Sequence, residues 1–268
     1  MARRLIQRSI RAVHRAAFRR SLPDKLGIYL HSTDALEFQL DELLSFLRER
    51  DYQFTGPGEF PTAPAKTCFL SLDDNYRSWL RTLPIFEKHR VRATFYVNSW
   101  PFRDRVGMAA ARQYVERRGL GNILSARETT LSTDELREIA AAGHTIGAHT
   151  HTHPVLTALP PAAAREEIRI CREELATLLS HPPEHFAYPF GMRRHFSRSL
   201  REYCQSIGFT TIANAIPCMQ YVHSRPESLH RSVWFLEQPL TFNLDNLCID
   251  GRVFSSLTGR SAAGGSFA

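Results

Sequence analysis

Two adjacent carboxylates, Asp73 and Asp74, directly follow the apolar run Thr67-Cys68-Phe69-Leu70-Ser71-Leu72. At the C-terminal end of a buried strand such a pair can divide labour, one ligating a cation and the other moving a proton. Taken alone, the pair can equally form an Asx turn that caps a helix. Three histidines, His149, His151 and His153, alternate with threonines after a second apolar stretch. In extended backbone all three point to one side, and in turned or helical backbone His149 and His153 still share a face. Two imidazoles facing one cation suit zinc and similar divalent metals. The plainer reading is a surface histidine cluster. A third segment, Phe186-Ala187-Tyr188-Pro189-Phe190-Gly191, runs from a strand into a Pro–Gly turn among aromatics. It reads as one wall of a sugar-binding groove, or as an ordinary loop.

The elements that must position these residues are legible as alternation. Short apolar strands are predicted at 26–30, 67–72, 93–98, 144–148, 186–188, 209–213 and 231–236. Helices are predicted at 35–49, 79–89, 133–142 and 162–180, the third opening at Ser132 or Thr133 and closed by Gly143. Loops are expected at 56–58 and 61–64. Strands alternating with helices imply a parallel α/β fold. His31 ends the first strand, where a satisfied polar cap and a site residue are both reasonable. Trp100, at the end of the 93–98 strand, is a candidate to stack on a sugar ring, whereas Trp79 is expected to pack on the helix that carries it.

The chain has 268 residues, with a hydrophobic fraction of 43%. That length can bury roughly three quarters of its unfolded surface without a disulfide or metal staple. A disordered, collagen-like or disulfide-stapled chain is excluded, and no apolar stretch approaches a membrane span. Seven arginines and no acid lie in residues 1–20, which matches the whole net charge of +7. Arg4, Arg8, Arg11, Arg15 and Arg19 recur at helical spacing, as in a basic amphipathic helix on an anionic membrane surface or a solvated basic arm. The five cysteines form no CxxC pair, which favours free thiols. Arginines interrupt every candidate signal-peptide core, so a cytoplasmic location is expected, with peripheral contact to the inner membrane face through residues 1–20.

Ser71-Leu72-Asp73-Asp74-Asn75, the strand Ala93-Thr94-Phe95-Tyr96-Val97, the stretch 143–156 and Phe186 to Gly191 together resemble the ordered motifs of polysaccharide deacetylases, the family with the NodB homology domain that is similar to carbohydrate esterase family 4. The resemblance implies an α/β fold, a single distorted and incomplete (β/α) barrel over residues 25–255. A basic segment at 1–24 and a flexible tail at 256–268 would flank it. It implies Asp74, His149 and His153 as metal ligands and Asp73 as general base. The metal would be divalent, zinc first, with cobalt, nickel or manganese as alternatives. His230 and Arg231 are the nearest match to a late motif, with His230 as proton donor and Arg231 orienting Asp73. Tyr188, Pro189, Phe190, Trp100 and His31 are the expected substrate-binding residues, and the Phe190 N–H the expected oxyanion donor. Asn75 stands where the family has glycine, and Asn tolerates left-handed backbone. His151 stands where an aromatic is usual and reads as a wall residue or a spare ligand.

The implied activity is hydrolysis of an acetyl group, expected to be N-acetyl, from a sugar of a cell-envelope or extracellular polysaccharide or its lipid-linked precursor. The partner is then an acetylated carbohydrate, and no nucleic acid is expected. The alternatives are an amide hydrolase acting on a small non-sugar substrate and a carbohydrate-binding homologue impaired in catalysis.

Overall fold

Apolar runs separated by amphipathic ones fold into a single parallel sheet wrapped by helices. The computed structural model describes residues 21–118, 125, 127–216 and 219–248. In chain order the strands are β1 (Lys25–Leu30), β2 (Gln53–Phe54), β3 (Thr67–Asp73), β4 (Thr94–Val97), β5 (Thr145–Ala148), β6 (His185–Ala187), β7 (Thr211–Ala213) and β8 (Ser232–Val233). They pair in the order β7-β6-β5-β4-β3-β1-β8, with β2 beside β3. Every described pairing between strands is parallel. The sheet curls until Ala213 of β7 bridges Leu229, three residues before β8, so its edges meet without full closure. This is the expected distorted, incomplete barrel in a single domain.

The helices are α1 (Glu37–Arg48), α2 (Leu83–Lys88), α3 (Arg103–Val106), α4 (Met108–Arg118), α5 (Thr133–Ala141), α6 (Pro161–Leu179), α7 (Arg198–Ser206) and α8 (Leu240–Leu247). Successive side chains of a strand face opposite ways. Cys68, Leu70 and Leu72 of β3 therefore join the large outer core beneath the helices, while Phe69 joins a small inner cluster with Phe60, Tyr96, Ala187, Ala213 and Leu229. Burial on both faces explains why β3 reads as a continuous apolar run. The same alternation turns Ser71 and Asp73 into the barrel. Gly147 has to lack a side chain, because a Cβ there would lie 2.5 Å from the Tyr96 ring.

Several boundaries differ from the sequence reading for local reasons. The first helix begins at Glu37, not residue 35, because Ala35 has φ +58 and cannot be helical. The helix expected at 79–89 is a 3₁₀ segment, Arg77–Thr82, followed by α2, which restarts with Pro84 in its first turn, where a missing N–H is harmless. Helix α5 carries the expected N-cap at Ser132, a capping box with Glu135. The strand expected over 231–236 reduces to β8, and α3, α4, α7 and α8 were not anticipated. Cys68, Cys171, Cys204 and Cys248 are buried free thiols. The basic segment 1–20, the tail 256–268 and Cys218 lie outside the described residues. Among the described residues no helix is long and apolar enough to cross a membrane.

Candidate active site and metal centre

The C-terminal ends of β1, β3, β5 and β6 open on a cavity of about 350 Å³. Tyr29, His31, Asp73, Asp74, His149 and His153 line it from the side of the first two motifs, and Tyr188, Phe190 and Gly191 from the side of the third. Left-handed backbone marks all three motifs: φ is +84 at Asp74, +63 at Asn75, +69 at Thr150, +64 at His153 and +62 at Phe190. Such conformations cost on the order of 1 to 3 kcal/mol per residue and gather where side chains must be aimed. Asn75 adopts the conformation expected of a residue replacing glycine, and its Nδ2 donates to the Asn98 carbonyl at 3.3 Å.

Asn98, fully buried just past β4, ties the first two motifs together. Its Nδ2 donates to the carbonyls of His149 and Thr150, and the Tyr114 hydroxyl donates to its Oδ1 at 2.7 Å. Nothing in the residue pattern signals this role, since a single Asn at a strand end has many uses. The turned backbone brings the Nε2 atoms of His149 and His153 to 3.4 and 3.0 Å from Asp74 Oδ1. One ligand atom from each of the three residues lies within 4.8 Å of the others. His149 Nδ1 donates to the Ala187 carbonyl at 2.6 Å, which leaves Nε2 as the free lone pair.

This donor set fits a divalent cation. Asp74 Oδ1 is buried with no well-formed hydrogen bond, as an oxygen reserved for a cation would be. Burial by itself would push the Asp74 carboxyl up, but His153, His149 and His31 outweigh it and hold the group well below the usual carboxylate range. Burial in turn pushes His153 down, towards the neutral form that ligates metals. One contact must change on loading. Arg118 Nη1 donates to His153 Nδ1, so the neutral ring carries its hydrogen on Nε2. Ligation through Nε2 would place that hydrogen on Nδ1, and Arg118 would then keep the carbonyls of Thr152 and His153, which it already reaches at 3.2 and 3.4 Å.

Asp73 is held differently. Arg231 grips both its oxygens, Nη1 to Oδ1 at 2.7 Å and Nη2 to Oδ2 at 2.9 Å, and also donates to Ser71 Oγ and the Asn214 carbonyl. Both residues are almost fully buried. A fork-on-carboxylate contact of this kind fixes orientation as well as charge.

Other predicted site residues fall elsewhere. His230 does not reach the triad. It lines a separate cavity with Gln220, His223 and Ser224, and its Nδ1 faces the Asn214 side chain. The cause is strand alternation: Leu229 and Arg231 face the barrel interior, so the residue between them faces away. Trp100 is 38% exposed and packs beside Tyr114 outside the cavity, and Pro189 is buried beneath the turn without lining it. His151 turns towards α6, its Nδ1 2.8 Å from Ser99 Oγ and 3.2 Å from Glu174. His31 does line the cavity, its Nε2 3.7 Å from Asp74 Oδ2, and its carbonyl accepts the Trp79 indole N–H at 2.9 Å. Arg117, Arg118, Met192, Arg194, His195 and Ala215 also line the cavity unforeseen. Arg194 and His195 follow the third motif closely enough to have been noticed; Arg117 and Arg118 end a helix that was not anticipated.

Burial keeps His230 and His144 neutral, and both sit at about 4 against an ordinary 6.5. Their folded values are depressed, so the stability they contribute is full above about 6.5 and is lost as pH falls towards 4. For His230 the loss at pH 5 is on the order of 2 kcal/mol. We expect the Tm to fall between pH 7 and pH 5, and the fall to be smaller in His230→Asn; an identical slope in that variant would refute the assignment.

Comparison with known proteins places this site in context. A family model described as polysaccharide deacetylase matches residues 61–212. A chitin deacetylase of Colletotrichum lindemuthianum is 25% identical over 175 residues, which are 64% of this chain and 59% of that protein. Among solved structures, a Streptococcus pyogenes deacetylase, PplD, in complex with acetate superposes with a TM-score of 0.60 at 18% identity, covering 85% of this chain and 99% of that one. IcaB from Ammonifex degensii gives 0.59 at 18% identity over 80% of this chain and 92% of its own. A de-N-acetylase from Aggregatibacter actinomycetemcomitans gives 0.62 at 14% identity, covering 84% of this chain and 98% of that one. At these identities the structural likenesses speak for the fold alone. The matched segment runs from the approach to β3 through β7, carries Asp73, Asp74, His149, His153 and the Tyr188 to Gly191 turn, and spans more than half of the sequence: the chain belongs to the polysaccharide deacetylase family.

Proposed function

We propose that this protein is a metal-dependent carbohydrate deacetylase that hydrolyses an N-acetyl group on a sugar of a cell-envelope or extracellular polysaccharide or its lipid-linked precursor. The observation that carries the reading is the pairing of two unlike carboxylates in one cavity: Asp74 facing two imidazoles, and Asp73 clamped by Arg231. Asp74, His149 and His153 would hold the cation, zinc best suiting one carboxylate and two imidazoles, with cobalt, nickel or manganese as substitutes. When bound, it would acidify water and polarise the acetyl carbonyl.

The chain's own residues account for the remaining roles. Asp73 takes the proton of the attacking water; its oxygens accept from Arg231 yet retain further lone pairs, and the clamp sets their direction. The Phe190 N–H, which makes no backbone hydrogen bond among the described residues, is the candidate donor to the oxyanion. Tyr188 and the half-exposed Phe190 give the sugar an apolar wall. His31 replaces His230 as the proton donor to the leaving amine, because it lines the cavity beside Asp74 while His230 faces another one. The aromatic wall also favours a sugar over a small non-sugar amide.

The test is acetate release from N-acetylated oligosaccharides by protein stripped with chelator and reloaded with zinc. Release should require the metal. His31→Ala should lower kcat by about a hundredfold or more, the usual scale for losing a general acid, and His230→Asn should cost only a few-fold. Loaded protein that releases no acetate would overturn the deacetylase reading, and the reverse ranking of the two histidines would overturn the assignment of the donor.

A further inference from the structure

Charge around the cavity is unbalanced in a way that hydrolysis of a neutral sugar does not call for. Four arginines line it, Arg117, Arg118, Arg194 and Arg231, but its carboxylates are only Asp73 and Asp74. Arg231 is neutralised by Asp73, and Asp74 belongs to the cation site. The other three have no carboxylate partner among the described residues: Arg118 reaches His153 Nδ1, two carbonyls and the face of the Tyr114 ring, and Arg194 reaches His195. The Nε of Arg118 is buried with no acceptor among the described residues. Some arginines elsewhere are matched with acids, as Arg81 is with Asp34 and Glu37, Arg103 with Glu135, and Arg169 with Glu166 and Glu173, while Arg48 is held by carbonyls and an amide away from any cavity of this kind. A divalent cation at the triad would make the cavity more positive still.

Arginine side chains without acids, converging on a concave surface, form a receptor for an oxyanion, since the planar fork matches phosphate and carboxylate geometry. Clefts of one sign also raise the local concentration of oppositely charged substrate. Resting on the reading of the site as a sugar deacetylase, we infer that its substrate is an acidic acetylated sugar, one that carries a phosphate or carboxylate within reach of Arg117 and Arg194. Arg118 shares in this recognition once its contact with His153 Nδ1 is given up.

The experiment compares three probes with the same acetylated ring: methyl N-acetylglucosaminide as the neutral one, N-acetylglucosamine 1-phosphate, and N-acetylmuramic acid with its carboxylate. Binding to zinc-loaded protein is measured by calorimetry and turnover by acetate release. An acidic probe should bind roughly tenfold or more tightly than the neutral one at low salt, and the advantage should shrink between about 0.05 and 0.5 M salt. The advantage should collapse in Arg117→Gln/Arg194→Gln and largely survive in Arg117→Lys/Arg194→Lys, which keeps the charge. Whichever acidic probe shows the larger advantage identifies the anion. Equal binding of all three probes by the wild type, with no dependence on salt, overturns the inference even if acetate is released. An arginine effect confined to inhibition by product acetate overturns it too. An acidic preference that depends on the arginines, with no acetate released from any probe, would uphold the anion site while the deacetylase reading fails.

Discussion

Asp74→Asn is expected to abolish acetate release, by about a thousandfold or more, and to lower the stability of the metal-free protein at neutral pH. Losing one of three ligands removes the cation and the chemistry it supplies. The stability expectation has a separate origin. Without a cation, and despite burial, His153, His149 and His31 still hold the Asp74 carboxyl well below the usual carboxylate range, so its charge favours the folded state at neutral pH. An amide of the same shape carries no charge and loses that contribution. Asn itself tolerates the +84 φ at this position better than most residues. Zinc should therefore raise the Tm of the wild type, by the equivalent of about 4 kcal/mol at a thousandfold excess over Kd, and leave that of Asp74→Asn unchanged. A variant that zinc stabilises as strongly as the wild type would show that the cation sits elsewhere.

Arg231→Met should produce the largest loss of stability of any single change at the site. It leaves Asp73 charged, buried and without its fork, a situation that typically costs about 3 to 5 kcal/mol. For a protein of this size that corresponds to a Tm lower by roughly 10 °C. Activity should fall by about a hundredfold or more, because Asp73 loses the contact that aims it. Arg231→Lys should recover only part of either loss, since one ammonium cannot reach both carboxylate oxygens, Ser71 Oγ and the Asn214 carbonyl together. The double variant Arg231→Met/Asp73→Leu should regain much of the lost stability but no activity, which separates the two roles of the pair. If Arg231→Met melts within a degree or two of the wild type, the ion pair does not hold the barrel mouth as described.

The two predictions draw on residues that were legible to different degrees. Asp74, His149 and His153 could be read from the chain because their geometry is local: a strand end fixes the first, and four-residue spacing keeps the two histidines on one side in a turn. Asp73 and Arg231 were both named, but their contact joins residues 158 positions apart and follows from β1 lying between β3 and β8 in the sheet. That His230 faces another cavity was partly legible. Once Arg231 is taken to face Asp73, its neighbour in an extended run must face away. The arginine rim was hidden more deeply, because Arg117 and Arg118 end a helix whose apolar pattern is weak.

By itself, the sequence determined what short-range physics can determine: the alternation of buried strands and amphipathic helices, the caps and turns that place each motif at a strand end, and which carboxylates and imidazoles stand there. Only the tertiary structure decided which strand ends share one cavity. That depends on how far the sheet curls before Ala213 meets Leu229, and on which face of each strand is turned inward. His31 enters the site, and His230 and Trp100 leave it, because side-chain direction at a barrel mouth is set by packing between strands distant in sequence, which neither spacing nor residue type encodes.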